Sequence, residues 1–338
     1  MITPRYASVF LERWCPRKCS YCKARLVKHG RLLRPEEWIE AFDILSREGV
    51  EFFLILGNEV LVYPWIVDLV RMLRENGFYG KYAMYSTFPE PWYSRLREKL
   101  IEAGLYNISC GVDLVEGTSG DQSIDEKSIW GLEQLIWFKE HGVPDVHATI
   151  TIHEKSYRQM HKICEACTKH KIWVAVSLVE YSPDGKHDFY GVREELDDFM
   201  IKDKQEFKNY MYWFAEQVER GRWMIQTPPE YFRMLGDKGG EPEWHCSIPL
   251  IISVEADGAL RLCAYRPFYK HKASVFDIGK SIGMEDYAKW HMEKSRECPG
   301  CFWSYPFTAE YWYHKDVEFG DKVLQVHASK YWSGGDKL

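Results

Sequence analysis

The chain has 338 residues, 46% of them hydrophobic, with 44 lysines and arginines against 50 aspartates and glutamates. This composition excludes a disordered or collagen-like chain, and the length is enough for about two domains. The most apolar stretch, residues 50–73, is interrupted by Glu51, Pro64 and Asp68 and predicts no membrane span. The N-terminus lacks a secretory signal pattern. We therefore expect a cytoplasmic protein whose ten cysteines are reduced.

Three of these cysteines lie close together near the N-terminus. The segment WCPRKCSYC places Cys15, Cys19 and Cys22 in a C-x3-C-x2-C arrangement, after an apolar strand predicted over residues 8–11. Three thiolates at this spacing can converge in a compact loop. With a fourth ligand they could hold a structural zinc ion. They could also hold a 4Fe–4S cube that leaves one iron open.

Alternating helices and strands are predicted after this loop. Apolar periodicity favours helices over residues 35–49, 65–76, 93–103, 126–141 and 157–170, and strands over residues 52–56, 82–86, 107–112, 146–152 and 172–178. The continuous apolar run FFLIL is typical of a parallel strand that is covered on both faces. Six such β/α units predict a parallel α/β layer or barrel with its ligand site at the C-terminal ends of the strands.

The cysteine loop resembles that of the radical S-adenosylmethionine (radical SAM) superfamily, because an aromatic residue, Tyr21, precedes the last cysteine and a strand precedes the loop. The resemblance covers roughly residues 7–235. It implies an α/β fold with a partial (β/α)6 barrel. It also implies a 4Fe–4S cluster on Cys15, Cys19 and Cys22, bound S-adenosylmethionine, and a position for Tyr21 near the adenine.

Polar residues at the next three strand ends match the family in kind. The resemblance implies that they contact S-adenosylmethionine: Gly57, Asn58, Glu59, Ser86, Ser109 and Asp113. The first three stand where the family has a Gly-Gly-Glu turn for the amino group, with Asn58 in place of the second glycine. Ser86 is expected near the ribose. Ordinary roles as turn formers or helix caps are the alternative for these residues.

Four further cysteines lie in the last third of the chain: Cys246, Cys263, Cys298 and Cys301. The first two flank a hairpin predicted over residues 251–263 with its turn at Asp257-Gly258. The other two form a C-x2-C pair after a helix predicted over residues 284–296.

This spacing resembles the auxiliary-cluster domain of radical SAM enzymes, the short "twitch" form of the SPASM domain. It implies one auxiliary 4Fe–4S cluster with four protein ligands, in a small α+β iron–sulfur domain at residues 236–338 after a barrel at residues 1–235. Zinc ribbons are also built from a hairpin and C-x2-C, so structural zinc stays open. The remaining cysteines, Cys110, Cys164 and Cys167, are predicted to be thiols with no metal.

Charge is distributed unevenly along the chain. Residues 13–34 carry eight lysines and arginines and no acid, which leaves −14 for the rest of the molecule. A basic segment of this kind balances an anionic cluster, a cofactor carboxylate or an anionic partner, or it is a solvated face. The overall acidic charge disfavours a general nucleic-acid binder.

The resemblance implies reductive cleavage of S-adenosylmethionine to a 5′-deoxyadenosyl radical that takes a hydrogen atom from a substrate. A single auxiliary cluster resembles the aminocyclitol dehydrogenase type and favours a two-electron oxidation with a flavodoxin- or ferredoxin-type electron donor. Peptide maturation and rearrangement of a nucleotide or amino-acid side chain are alternatives. With 14 residues before Cys15 we expect no peptide-recognition domain there, which disfavours the peptide alternative. A non-catalytic zinc or electron-transfer protein is the alternative from another class. No acid–base residue is identified.

Overall fold

The computed structural model describes residues 2–24, 30–114, 122–179, 181, 193–241, 244–263, 269–301 and 303–314. Arg25 and Lys28 of the basic segment lie outside the described residues. The chain divides into two compact units, the first made of Met1–Ser109, Ser182–Gly191 and His245–Cys298, the second of Cys110–Tyr181, Val192–Trp244 and Pro299–Leu338. Over the described ranges, no helix is long and apolar enough to cross a bilayer.

Strands and helices alternate through the first half of the chain. The strands are β1 (Tyr6–Phe10), β2 (Phe52–Leu56), β3 (Tyr82–Met84), β4 (Asn107–Gly111), β5 (Asp145–Ile152), β6 (Trp173–Leu178), β7 (Ile251–Val254), β8 (Ala259–Arg261) and β9 (Lys270–Ser274). The helices are α1 (Pro35–Arg47), α2 (Ile66–Glu75), α3 (Trp92–Ala103), α4 (Gln122–Glu140), α5 (Met160–Lys169), α6 (Lys204–Glu219), α7 (Pro229–Lys238), α8 (Met284–Ser295) and α9 (Ser304–Tyr313). The predicted α/β fold with parallel strands is confirmed.

The first unit is organised by a six-stranded sheet in the order β3-β2-β1-β7-β8-β9. Strands β3, β2, β1 and β7 run parallel, with Ser8 of β1 opposite both Leu54 of β2 and Ser253 of β7. The predicted hairpin is present as the antiparallel pair β7 and β8. Gly258 adopts a φ of +87° in its turn, where a glycine is favoured.

Helix α1 covers one face of this sheet. Pro35 occupies its first turn, and the N–H of Arg34 donates to the Glu37 carboxylate at 2.8 Å, which satisfies one exposed backbone group. The ring of Phe42 packs on Phe53 of β2, with 4.5 Å between centroids. Leu54, the next residue along β2, points to the opposite face and is half-buried. Helix α1 therefore covers β2 on the face that carries Phe53.

The second unit contains the strands β5 and β6 and the helices α6, α7 and α9. Strands β5 and β6 are parallel and place Thr151 opposite Ser177. Helix α6 packs along α7, and the centroids of the Phe214 and Phe232 rings lie 4.8 Å apart. Helices α6, α7 and α9 are additional to the elements predicted from the sequence.

Acid is expected to destabilise the fold through His291 of α8. This side chain is 3% exposed, and burial lowers its pKa to about 4. The unfolded chain binds a proton at this histidine near pH 6.5 and the folded chain only near pH 4, so protonation increasingly favours the unfolded state as the pH falls through this window. The free energy of unfolding should drop by about 3 kcal/mol over that window. Urea unfolding at several pH values measures it, and a similarly steep profile in His291→Gln would contradict the assignment.

Candidate active site

The N-terminal cysteines occupy a compact loop after β1. Cys15 is buried, Cys19 and Cys22 are half-buried, and none of the three is in a disulfide bond. The N–H of Cys22 donates to the Cys19 carbonyl at 3.0 Å, and the N–H of Ala24 donates to the Cys22 sulfur at 3.4 Å. Tyr21, predicted to lie near the adenine, is 6% exposed between the last two cysteines. The loop therefore folds back on itself around the last two thiols.

The pKa of the Cys15 thiol depends on its burial and on the groups around it. Burial raises the pKa of its thiol most, the Glu59 carboxylate raises it further, and Cys22 and Cys19 add to the effect. The backbone N–H of Arg17 lowers the same pKa, because it favours the thiolate. The three thiols are thus near enough to influence one another's charge.

The loop offers three cysteine sulfurs as ligands. In the part of the chain that the structure describes, no three His, Cys, Asp or Glu side chains are grouped to hold one ion. An iron–sulfur cube binds each cysteine through a different iron, so its three sulfurs need not converge on one point.

The turn after β2 packs closely against the segment that precedes Cys15. A Cβ on Gly57 would lie 2.8 Å from the Glu12 carbonyl, so only glycine allows this approach. The N–H of Asn58 donates to the same carbonyl at 3.0 Å, and its side-chain amide donates to the Arg13 carbonyl. The Asn58 Oδ1 is buried and has no hydrogen-bond partner among the residues that the structure describes. This turn thus carries one buried acceptor that a bound donor could satisfy.

The carboxylate of Glu59 joins the ends of two strands. It is fully buried, and its Oε1 accepts hydrogen bonds from the Ser86 hydroxyl at 2.7 Å and the Leu61 N–H at 2.9 Å. Its Oε2 accepts from the N–H and the hydroxyl of Thr87, each at 2.7 Å. Burial raises its pKa, and these hydrogen bonds oppose the shift. Protein donors therefore engage both oxygens, and cofactor contacts of Glu59 and Ser86 stay a prediction.

Ser109, another residue predicted to contact the cofactor, lies next to Ser86. Its carbonyl accepts the N–H of Ser86 at 2.9 Å, and its hydroxyl donates to the Met84 carbonyl at 3.1 Å. The side chain is half-buried. Ser86, just after β3, therefore lies beside Ser109 in the middle of β4, next to the parallel bridge between Tyr85 and Ser109.

Asp113 lies in the second unit and forms a buried ion pair that sequence reasoning missed. Its Oδ2 is 2.6 Å from the ammonium of Lys127, and its Oδ1 accepts the N–H of Thr151 at 2.9 Å. Burial alone would raise the pKa of Asp113, but the charges of Lys127 and His153 and the hydrogen bonds from Lys127 and Thr151 together outweigh it, and the pKa is lowered. Lys127 stands alone in the sequence without a diagnostic spacing, so only the fold reveals the pair.

The cysteines of the last third sit at the ends of elements. In the first unit, Cys246 precedes β7, Cys263 follows β8 and Cys298 follows α8. In the second unit, the N–H of Cys301 donates to the Trp244 carbonyl at 3.0 Å. All four are half-buried and outside any disulfide bond, and their shared metal site stays a prediction.

The other three cysteines are buried. Cys110, Cys164 and Cys167 have no exposed surface and form no disulfide bond. Burial raises the pKa of Cys167 to about 12 and that of Cys164 well above its ordinary value.

Part of the chain matches a known protein family. Residues 10–177, about half of the chain, match the family model of the radical SAM superfamily. The chain carries a radical SAM domain. The match includes the cysteine loop and every strand end from β1 to β5, so the predicted relationship is confirmed for this region.

Curated relatives match over parts of their length. The ribosomal protein uS12 methylthiotransferase RimO of Phocaeicola vulgatus is 30% identical over 32% of this chain and 29% of its own. An S-adenosylmethionine-dependent nucleotide dehydratase of a Thermoplasmatales archaeon is 25% identical over 27% of this chain and 33% of its own. The chain thus spans about a third or less of these relatives.

Solved structures share the fold of this radical SAM domain. Streptococcus suis SuiB bound to S-adenosylmethionine superposes with a TM-score of 0.62 at 12% identity, covering 85% of this chain and 66% of that one. The structure of anSMEcpe with bound AdoMet gives a TM-score of 0.54 at 14% identity, covering 97% of this chain and 99% of that one. At these identities the likeness concerns the fold.

Removing one partner of the Asp113–Lys127 pair should destabilise the protein strongly. Lys127→Met leaves a buried carboxylate without its cation and should lower the free energy of unfolding by about 3–5 kcal/mol. The double variant Asp113→Asn/Lys127→Met should be less affected. Arg71→Met, which breaks an exposed pair with Asp68, is the control and should cost under about 1 kcal/mol. Urea unfolding measures all three, and a double variant as unstable as the single one would contradict this account.

Proposed function

We propose that this protein is a radical SAM enzyme that holds a 4Fe–4S cluster on Cys15, Cys19 and Cys22. It cleaves S-adenosylmethionine reductively, and the 5′-deoxyadenosyl radical abstracts a hydrogen atom from the substrate. The observation that carries the proposal is the compact loop that brings three cysteines together inside the matched domain. The cluster, when bound, supplies the electron for this cleavage.

The turn at Gly57-Asn58 fits the cofactor. A buried acceptor without a partner costs about 1–3 kcal/mol, and Asn58 Oδ1 is such an acceptor. The amino group of S-adenosylmethionine is a donor that would satisfy it. Gly57 lets the turn approach the backbone before Cys15 closely enough to place that oxygen beside the cysteine loop. Asn58 is therefore a plausible replacement for the second glycine of the family turn.

The strand-end hydrogen bonds hold this site in shape. Glu59 ties the β2 turn to Ser86 and Thr87, and Asn58 ties it to the segment before Cys15. A site held by buried hydrogen bonds needs little rearrangement when a ligand binds and excludes water from it. The contribution of the protein is positioning, as in other cofactor-dependent radical reactions.

We further propose that residues 236–338 form an auxiliary domain in which Cys246, Cys263, Cys298 and Cys301 bind a second 4Fe–4S cluster. Their spacing supports it, as does the position of Cys263 directly after the hairpin. A cluster with four protein ligands has no open iron, so electron transfer is the role that fits it. The net reaction is then a two-electron oxidation of a substrate in the cytoplasm, with a flavodoxin- or ferredoxin-type donor.

Anaerobic reconstitution tests this proposal. The protein should bind about eight irons, because a three-cysteine and a four-cysteine site each hold one cube. Addition of dithionite and S-adenosylmethionine should yield 5′-deoxyadenosine, measured by chromatography. Bound zinc without cofactor cleavage would show that the chain is a non-catalytic metal protein.

Cysteine variants separate the two clusters. Cys15→Ala should abolish cleavage of S-adenosylmethionine. Cys298→Ala/Cys301→Ala should keep about four irons and still cleave it without a substrate. Cys164→Ala, at a buried thiol with no assigned ligand role, is the matched control and should match the parent. Eight irons in the C-terminal double variant would contradict the auxiliary site.

Maturation of a peptide is the second candidate. The observation that favours it is the fold shared with SuiB, which has also been solved bound to the precursor peptide SuiA, with a TM-score of 0.60. Short peptides encoded by neighbouring genes are the probe. A substrate peptide should change in mass during turnover and raise the yield of 5′-deoxyadenosine, whereas a small-molecule oxidation predicts no effect of any peptide.

A further inference from the structure

Arg17, in the middle of the cysteine loop, reaches out of that loop to a neighbouring turn. Its Nη2 donates to two successive backbone carbonyls after β3, that of Thr87 at 2.8 Å and that of Phe88 at 3.1 Å. A guanidinium presents several N–H groups in a rigid fork, so it suits a pair of acceptors on one turn. One side chain thus connects the cysteine loop to the end of β3.

The turn that receives Arg17 has an unusual backbone. Phe88 adopts a φ of +49°, a left-handed conformation that is uncommon for a bulky residue. Its N–H donates to the Ser86 hydroxyl at 2.9 Å, and its buried ring packs on Tyr93 with centroids 5.2 Å apart. Such strain persists where the surroundings fix it and is frequent at functional sites. The turn is therefore a firm anchor for the Arg17 side chain.

The backbone of Arg17 acts on the first cysteine. Its N–H donates a hydrogen bond to the sulfur of Cys15, which lies two residues earlier in the chain. Through Ser86 and Thr87, the same turn is bound to Glu59. Arg17 thus links Cys15 to the turn that Glu59 holds in place.

We propose that Arg17 is a positioning residue whose side chain, clamped on the Thr87 and Phe88 carbonyls, holds its own backbone N–H towards the Cys15 sulfur. The clamp orders the cysteine loop before iron binds, and it raises the reduction potential of the bound cluster. Hydrogen bonds to the sulfurs stabilise the more negative, reduced state of a cluster. The effect on the potential rests on the proposed function, whereas the ordering of the loop does not.

The first test uses the full chain without iron. Hydrogen exchange of the amides in residues 15–22 should become about tenfold faster in Arg17→Ala, a loss of about 1.4 kcal/mol of local stability. Lys18→Ala removes the same charge from an exposed neighbour in the same loop and should exchange like the parent. Parent-like exchange in Arg17→Ala would overturn the clamp.

The second test measures the potential of the reconstituted N-terminal cluster in the Cys298→Ala/Cys301→Ala background, by redox titration followed by electron paramagnetic resonance. Arg17→Ala should shift it by about −59 mV, a tenfold change in the reduction equilibrium for one electron. Lys18→Ala should stay at the parent value. An equal shift in both variants, or none in Arg17→Ala, would overturn the role of the amide.

A conservative variant covers the case in which Arg17→Ala does not fold. Lysine keeps the charge but has a shorter side chain that reaches the two carbonyls less well, so Arg17→Lys should give intermediate exchange and an intermediate potential. Parent-like values in Arg17→Lys would overturn the proposal. If the parent takes up no iron, the proposed function is wrong and the effect on the potential is lost with it, while the exchange measurement still decides whether Arg17 orders the loop.

Discussion

A single buried carboxylate determines the geometry of the candidate site. Glu59 is surrounded by four hydrogen-bond donors from the turn after β2 and from the end of β3, and it has no contact with bulk water. Losing any of these donors would leave a buried acceptor unsatisfied, which is costly in a low-dielectric interior. The two strand ends are therefore held together, and the cysteine loop rests on both.

The sheet beneath the site depends on a strand from far along the chain. Strand β1 precedes the cysteine loop, and its free edge would be exposed without β7, whose four residues are all buried. Unpaired strand edges are unfavourable in soluble proteins. The segment that carries Cys246 and Cys263 is thus built into the sheet from which the first cysteine loop emerges.

Local patterns explain why most of the fold was predictable. The predicted bounds of β2 and α1 agree with the observed bounds to within two residues. The apolar run of β2 and the amphipathic stripe of α1 each depend only on neighbours in sequence. Helix α6 carried a readable signal too, with an Asp203 cap and buried Phe207, Met211 and Phe214 at helical spacing. The pairing of β7 with β1, the partners of Glu59 and the Lys127 ion pair were not predictable. Each depends on contacts between residues that only the tertiary fold brings together.

The burial of the three unassigned thiols has a practical consequence. A Cβ on Gly131 would lie 2.8 Å from the Cys110 sulfur, which shows how little space surrounds that side chain. An alkylating reagent cannot reach such a sulfur in the native state, and it reacts with the thiolate rather than the thiol. Modification of Cys110, Cys164 and Cys167 therefore requires local opening of the second unit. The rate at which these three thiols are alkylated therefore measures how often the core of the second unit opens, without any introduced probe.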